Sequence, residues 1–265
     1  MTTGPVGSVT RGTTHPNRLR RVDRWIAAML GGRLRRQGQV AVVDLGFGAS
    51  PVTTVELANR LGPVAPQAQV VGLEIDPGRV ALARSRHPSA TFDVGGFELG
   101  GYAGTTALVR AFNVLRQYDE ADVAQAWRTM LAACGPDGAV VEGTCDEIGR
   151  RSSWVLLDRN SSDSEPVSLT VSLRLAGLER PGEVAARLPK ALIHHNVPGQ
   201  PVHRFLAALD AGWAAAAAWG AVSARQRWIH TARAAQQAGF HILDGPARWR
   251  LGEMTVRWRD VAPLA

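Results

Sequence analysis

Two short segments limit what this chain can fold into: Val40 to Pro51, reading VAVVDLGFGASP, and Val70 to Pro77, reading VVGLEIDP. Each is an apolar run rich in β-branched residues that ends in a turn, with a helix start behind it. Such runs predict buried strands. A strand closing on Asp44-Leu-Gly46-Phe-Gly48 lets the backbone pass close to a ligand, because glycine has no Cβ and tolerates positive φ. Ser50 and Pro51 suit the N-cap and first position of a helix. The second strand brings the Glu74 carboxylate to the same sheet edge, where open α/β sheets bind ligands. A carboxylate there can accept both hydroxyls of a ribose, so the pair of segments predicts a nucleoside site.

A dinucleotide fingerprint requires G-x-G-x-x-G and an acid roughly 20 residues on. Pro51 stands at the third glycine position, the acid comes later, and no Gly-Lys-Ser/Thr follows. Residues 38–150 instead resemble the class I S-adenosylmethionine-dependent methyltransferases. Asp44–Gly48 matches their first motif and Gly72–Pro77 their second. Ala90–Glu98 matches the third strand and the loop that walls the adenine, although relatives mostly carry an acid where this chain has Gly96. The resemblance therefore leaves Phe97 to supply a wall and a backbone N–H, or to be core. Leu108–Leu115 matches the fourth strand and its loop. It lacks the Asn/Asp-Pro-Pro-Tyr/Phe signature of enzymes that methylate amines of bases. The resemblance implies S-adenosylmethionine as cofactor, surrounded by Asp44, Gly46, Phe47, Gly48, Glu74, Ile75, Gly96, Phe97, Arg110 and Asn113.

Asp122–Leu131 carries an apolar stripe at helical spacing (Val123, Ala126, Trp127, Met130, Leu131), broken by Gly135–Gly138 before a fifth strand, Ala139–Thr144. Trp154–Leu157 and Val167–Leu175 flank a polar turn and predict an antiparallel closing hairpin. The fold expected is α/β: a doubly wound, mostly parallel seven-stranded sheet with that hairpin, an N-terminal helix and a C-terminal helical section. By composition, residues 1–13 form a disordered tail; 14–37 read as the N-terminal helix and 179–265 as a helical section with a last strand at 249–256, and the resemblance implies that 38–178 are the cofactor-binding core. Leu19, Val22, Ile26, Met29 and Leu30 give the first helix its apolar side. Asn17 and Arg18, where it opens, are candidates for the cofactor's carboxylate, as the resemblance implies. The alanine-rich stretch 211–219 reads as a buried helix.

The apolar fraction of 45% is ordinary for a globular chain of 265 residues, and no apolar run reaches the roughly 20 residues of a membrane span. Cys134 and Cys145 lack zinc spacing and a secreted framework, which points to a reducing cytoplasm. The net charge is +7 and Lys190 is the sole lysine. Arginines 11, 18, 20, 21, 24, 33, 35 and 36 crowd the N-terminal segment against one acid, Asp23. That stripe is either a footprint for nucleic acid or a solvated helix face. Asp146 and Glu147, after the fifth strand, are candidates for binding or deprotonating an acceptor. So are His194 and His195, whose imidazoles titrate near neutrality. The two histidines lack partners at metal-ligand spacing, and no metal is expected.

The function expected is direct methyl transfer to a small-molecule acceptor, under a roof of helices with Leu188, Leu192, Phe205 and Trp213 as apolar walls. A nucleic-acid-modifying or -binding protein and a cofactor-binding fold without turnover are the alternatives, with a nicotinamide oxidoreductase more distant. The sequence assigns no oligomeric state.

Overall fold

The computed structural model describes residues 4–9, 14–161 and 165–264. They form two compact units, Met1–Gly149 with Leu157–Glu165, and Arg150–Leu156 with Pro166–Ala265.

The first unit begins with α1 (Arg20–Met29) and α2 (Gly31–Gln37), followed by β1 (Ala41–Leu45), α3 (Val52–Leu61), β2 (Gln69–Glu74) and α4 (Pro77–Arg86). Then come β3 (Thr91–Val94), β4 (Thr106–Phe112), α5 (Glu120–Ala133) and β5 (Ala139–Cys145). Its strands lie in the order β3-β2-β1-β4-β5 and every pairing is parallel. Val43 of β1 pairs with Val71 on one side and Val109 on the other, so chain direction along the sheet reverses at β1. Ligands of open α/β sheets bind beyond the carboxyl ends of strands at such a point. β1, β4 and β5 are buried along their whole length, as expected of strands covered on both faces. Each fully buried valine or leucine there contributes about 1.5–3 kcal/mol.

The single N-terminal helix expected is two. Gly31 stands at the break, where a Cβ would lie 3.0 Å from the Val64 side chain, so close packing, not helix propensity, sets the joint. Leu19, Val22, Ile26 and Leu30 are buried as expected, but Met29 is exposed and Trp25 takes its place inside. α3 starts at Val52 with Pro51 as its cap residue and no side-chain cap. The Ser50 cap is thus absent, and the hydroxyls of Thr53 and Thr54 turn inward instead. The α5 stripe is buried as its spacing predicts.

The second unit begins with β6 (Arg151–Asp158), whose last two residues belong to the first, and continues with β7 (Ser168–Leu173) and α6 (Lys190–Ile193). It ends with α7 (Pro201–Ala215), α8 (Ala217–Gly220), α9 (Ala224–Gln237), α10 (Pro246–Trp249) and β8 (Glu253–Arg257). The hairpin forms, with Trp154 opposite Thr170, and β8 extends it antiparallel, with Thr255 opposite Thr170. The fold is the mostly parallel α/β class expected, but among the described residues the sheet has eight strands and not seven, five parallel and the last three antiparallel, because β8 adds to the hairpin. The alanine-rich stretch is not buried throughout: Gly212, Trp213 and Ala216 face inward while Trp219 is exposed.

One buried group in the first unit gives a stability signature. Glu142 of β5 is fully buried beside the Trp127 indole, and burial pushes its carboxyl up to about 8, against the lowering effect of that indole N–H. Between the ordinary carboxylate range and that value the folded chain keeps a proton that the unfolded chain releases. This contribution is full below about pH 4.5, falls as pH rises, and is lost through pH 8. Glu142→Gln is therefore expected to be more stable than the parent at pH 8, by about 2 kcal/mol or more at 1.36 kcal/mol per pK unit. The gap should narrow toward pH 5 in urea titrations, and a constant gap would contradict the assignment.

Candidate functional site

The glycine turn after β1 forms as the sequence predicts. Gly46 and Gly48 have φ of 69° and 76°, a left-handed conformation that costs a residue with Cβ about 1–2 kcal/mol. The Gly46 N–H donates to the Leu73 carbonyl at 2.7 Å, tying the turn to β2. The Gly48 N–H donates to Glu74 Oε2 at 2.9 Å, and the Ile75 N–H to Glu74 Oε1 at 2.9 Å. Arg79, in the first turn of α4, approaches the same carboxylate at 3.6 Å. Glu74 is 1% exposed, yet lines a cavity with Gly46, Ile75, Phe97, Val114 and Tyr118. The N–H groups of Gly48 and Ile75 hold its carboxylate in place, and the Asp76 N–H lies 3.5 Å from Oε1. Asp76 caps α4, accepting from the N–H groups of Gly78 and Arg79.

Asp44 and Arg110 meet, but as partners of each other. Asp44 Oδ1 accepts from Arg110 Nε at 3.0 Å, and Oδ2 lies 2.7 Å from Arg110 Nη2 and accepts from Thr54 Oγ1 at 2.7 Å. Arg110 is fully buried and also donates to Asp23 of α1 and to the Thr53 carbonyl. Asp23 is bonded in turn to Arg60 at 2.9 Å. Burial pushes Asp23 up to about 6 against the pull of Arg110 and Arg60. Burial also opposes the Arg110 charge, but Asp23 and Asp44 overcome it and hold the guanidinium protonated. Neither Asp44 nor Arg110 reaches the cavity, and their role is to anchor the turn. Asp23 was legible only as the one acid among the N-terminal arginines.

The other predicted residues divide similarly. The Phe47 ring packs in the core, 5.3 Å from Phe92. Asn113, at φ 60°, braces the ends of β4 and β5: its Oδ1 accepts from the Cys145 N–H at 3.0 Å. Asn17 donates its N–H to Glu56, and Arg18 donates to the Asp146 carbonyl at 3.1 Å, so both hold the chain and neither meets the cavity. Asp146 and Glu147 lie in a turn, not a helix, and Glu147 is exposed. In the second unit His194 is exposed, with Nε2 3.2 Å from Lys190 Nζ. Leu188, Leu192, Phe205 and Trp213, expected as apolar walls, are buried. Phe205 stacks edge-on against Phe240, and Trp213 against Trp228 with Arg227 over its ring.

The N-terminal stripe is partly spent on structure. Arg33 pairs with Asp158 at 2.6 Å, and Arg20 donates to the Ile148 carbonyl at 3.2 Å. Arg24, Arg35 and Arg36 are exposed; Arg11 lies outside the described residues. Among the described residues no helix is long and apolar enough to cross a membrane.

Residues 4–9, assigned to a disordered tail by composition, have defined partners beside the cavity. The Phe97 N–H donates to the Val6 carbonyl at 2.9 Å, and the Val6 N–H to Glu98 Oε2 at 2.8 Å. The Ser8 N–H donates to the Tyr118 hydroxyl, and Gln117 Nε2 to the Ser8 and Val9 carbonyls. These bonds run through main-chain groups, which composition does not register. The rest of that tail, residues 1–3 and 10–13, lies outside the described residues.

No family model matches the chain, and no curated protein does. Solved structures align with about half of it. One is a putative sarcosine dimethylglycine methyltransferase from Galdieria sulphuraria (16% identity, TM-score 0.37, 52% of this chain and 55% of that one). Another is magnesium protoporphyrin IX methyltransferase from Synechocystis PCC 6803 with bound SAH (17%, 0.37, 48% and 54%). A third is a SAM-bound amino pentose methyltransferase of calicheamicin biosynthesis from Micromonospora echinaspora (20%, 0.34, 56% and 67%). Function is read from the site's own geometry. In strand order, and in the glycine turn and acid at the ends of β1 and β2, the first unit has a Rossmann-like α/β fold.

Proposed function

We propose that the first unit binds S-adenosylmethionine and that the chain transfers its methyl group to a small-molecule acceptor. One observation carries this reading. The Glu74 carboxylate, buried at the end of β2, is fixed by the main-chain N–H groups of Gly48 and Ile75 and faces the cavity at the point where strand order reverses. A carboxylate so placed is a ribose diol acceptor, and its residues fit the nucleoside end of the cofactor. When bound, that cofactor supplies a methyl group activated by a sulfonium. The chain's own part is to hold and orient: Glu74 fixes the ribose, Ile75 and Phe97 supply apolar surface for the base, and the Gly46–Gly48 turn leaves room for the remainder. Fixing the donor in one orientation is a proximity contribution to an in-line transfer. The inward bonds of Arg18, Arg20 and Arg33 leave a smaller exposed basic surface than the sequence suggests, which favours a small acceptor over nucleic acid.

S-Adenosylhomocysteine at about 100 times its dissociation constant adds about 2.7 kcal/mol of stability by mass action, so the melting temperature is expected to rise by several degrees. Gly48→Val forces a β-branched residue to φ near 76° and removes the fit of the turn to Glu74. It is expected to remain folded and to show no such rise. An equal rise in Gly48→Val would overturn the placement of the cofactor at this turn.

A further inference from the structure

Resting on that cofactor reading, we infer that the Phe97 amide and the Glu98 carboxylate read the base of the bound nucleoside, and that residues 4–9 are a built-in mimic of that base which must leave before it enters. Phe97 lines the cavity, and its N–H and the neighbouring Glu98 carboxylate are a donor and an acceptor that meet the same residue, Val6. A 6-aminopurine edge offers the complement, a ring nitrogen that accepts beside an amine that donates. In the structure one strap residue offers the same complement from its main chain. The Val6 carbonyl accepts from the Phe97 N–H at 2.9 Å, and the Val6 N–H donates to Glu98 Oε2 at 2.8 Å. Glu98 is held for the task, because its Oε1 accepts from the Gly96 N–H at 2.8 Å.

Space leads to the same conclusion. The strap passes directly over Gly96, where any Cβ would lie 2.0 Å from the Val6 carbonyl oxygen. The absence of a side chain at 96 is thus what admits the strap, and it moves the base-reading carboxylate to Glu98. Gly7 lies between the apolar walls: a Cβ on it would meet Ile75 Cδ1 at 2.9 Å, the Tyr118 hydroxyl at 3.0 Å and Phe97 Cε2 at 3.7 Å. With Val6 and Ser8 in its lining the cavity has room for only about 10 Å³, roughly one water molecule. Strap and base compete for one donor, one acceptor and one slot.

Affinity for a ligand whose site is open only part of the time falls by the open fraction. Five hydrogen bonds to main-chain groups of residues 4–9, each of modest net worth and opposed by the entropy of ordering six residues, are taken to hold that fraction at about one in ten. Calorimetry on the full chain and on a chain lacking residues 1–9 is expected to show S-adenosylhomocysteine binding about tenfold tighter to the shorter one. Gly7→Val, which undocks the strap by collision with Ile75, should behave like the truncation. In the truncated chain Glu98→Ala should weaken S-adenosylhomocysteine about tenfold while leaving S-inosylhomocysteine, whose base lacks the amine, unchanged. Hydrogen exchange at the Phe97 amide should be slow in the full chain and fast in the truncated one. Equal or weaker binding after truncation overturns the mimic, and parallel losses for both ligands in Glu98→Ala overturn the base-reading role. Failure of every form to bind S-adenosylhomocysteine, with Phe97 still protected only in the full chain, overturns the cofactor reading and the base-reading role with it.

Discussion

Arg110→Met is expected to destabilise the chain by about 3–5 kcal/mol, the usual cost of removing one member of a buried ion network, and to lower the melting temperature by about 10 °C. The reason is what remains behind. Asp23 is fully buried and Asp44 nearly so, and Arg110 is the shared cation bonded to both. Methionine fills much of the volume but leaves two carboxylates facing each other, with only Arg60, at the edge of the network, still bonded to Asp23. Adding Asp23→Asn should recover a large part of the loss, because the unpaired charge and not the lost volume is the cause. Denaturant titration of the four chains measures the coupling. A loss below 1 kcal/mol, or no recovery in the double variant, would show that Arg110 does not anchor the turn.

Glu74→Gln is expected to weaken S-adenosylhomocysteine by about ten- to a hundredfold, since hydrogen bonds to a charged group are worth about 1.5–3 kcal/mol. The carboxylate accepts from the Gly48 and Ile75 N–H groups, one on each oxygen. An amide presents a donor on one side, so it must oppose one of those N–H groups as well as lose charge toward the ribose. Glu74→Gln should therefore lose affinity while its melting temperature without ligand falls by only a few degrees. Calorimetry showing unchanged affinity would mean that the ribose is held elsewhere, with Asp76 as the nearest other carboxylate on the β2 turn.

What was legible in the sequence is what local chemistry dictates. The β-branched runs ending at Leu45 and Glu74 are strands, the glycines at 46 and 48 take the positive φ that their turn requires, and the α5 stripe is buried. Charge was harder to read. Arg110 on a strand looked like a ligand contact, yet its partners are 66 and 87 residues away in Asp44 and Asp23, and no local pattern encodes a pairing at that range. Phe47 and Asn113 stand at motif positions, but their side chains are spent on packing and on bracing β5. The strap was invisible for another reason: its bonds are made by main-chain atoms, so its Gly, Val and Ser composition carries no trace of them. Leu188, Leu192, Phe205 and Trp213 are buried, as their apolar character alone predicts.

The nucleoside site proposed at Gly46, Gly48 and Glu74 is one for S-adenosylmethionine and not for a nicotinamide. Isothermal titration of the intact chain with S-adenosylhomocysteine and, separately, with NAD decides between them. The account predicts one S-adenosylhomocysteine per chain, lost in Gly48→Val, and no heat from NAD. Saturable binding of NAD with none of S-adenosylhomocysteine would contradict it.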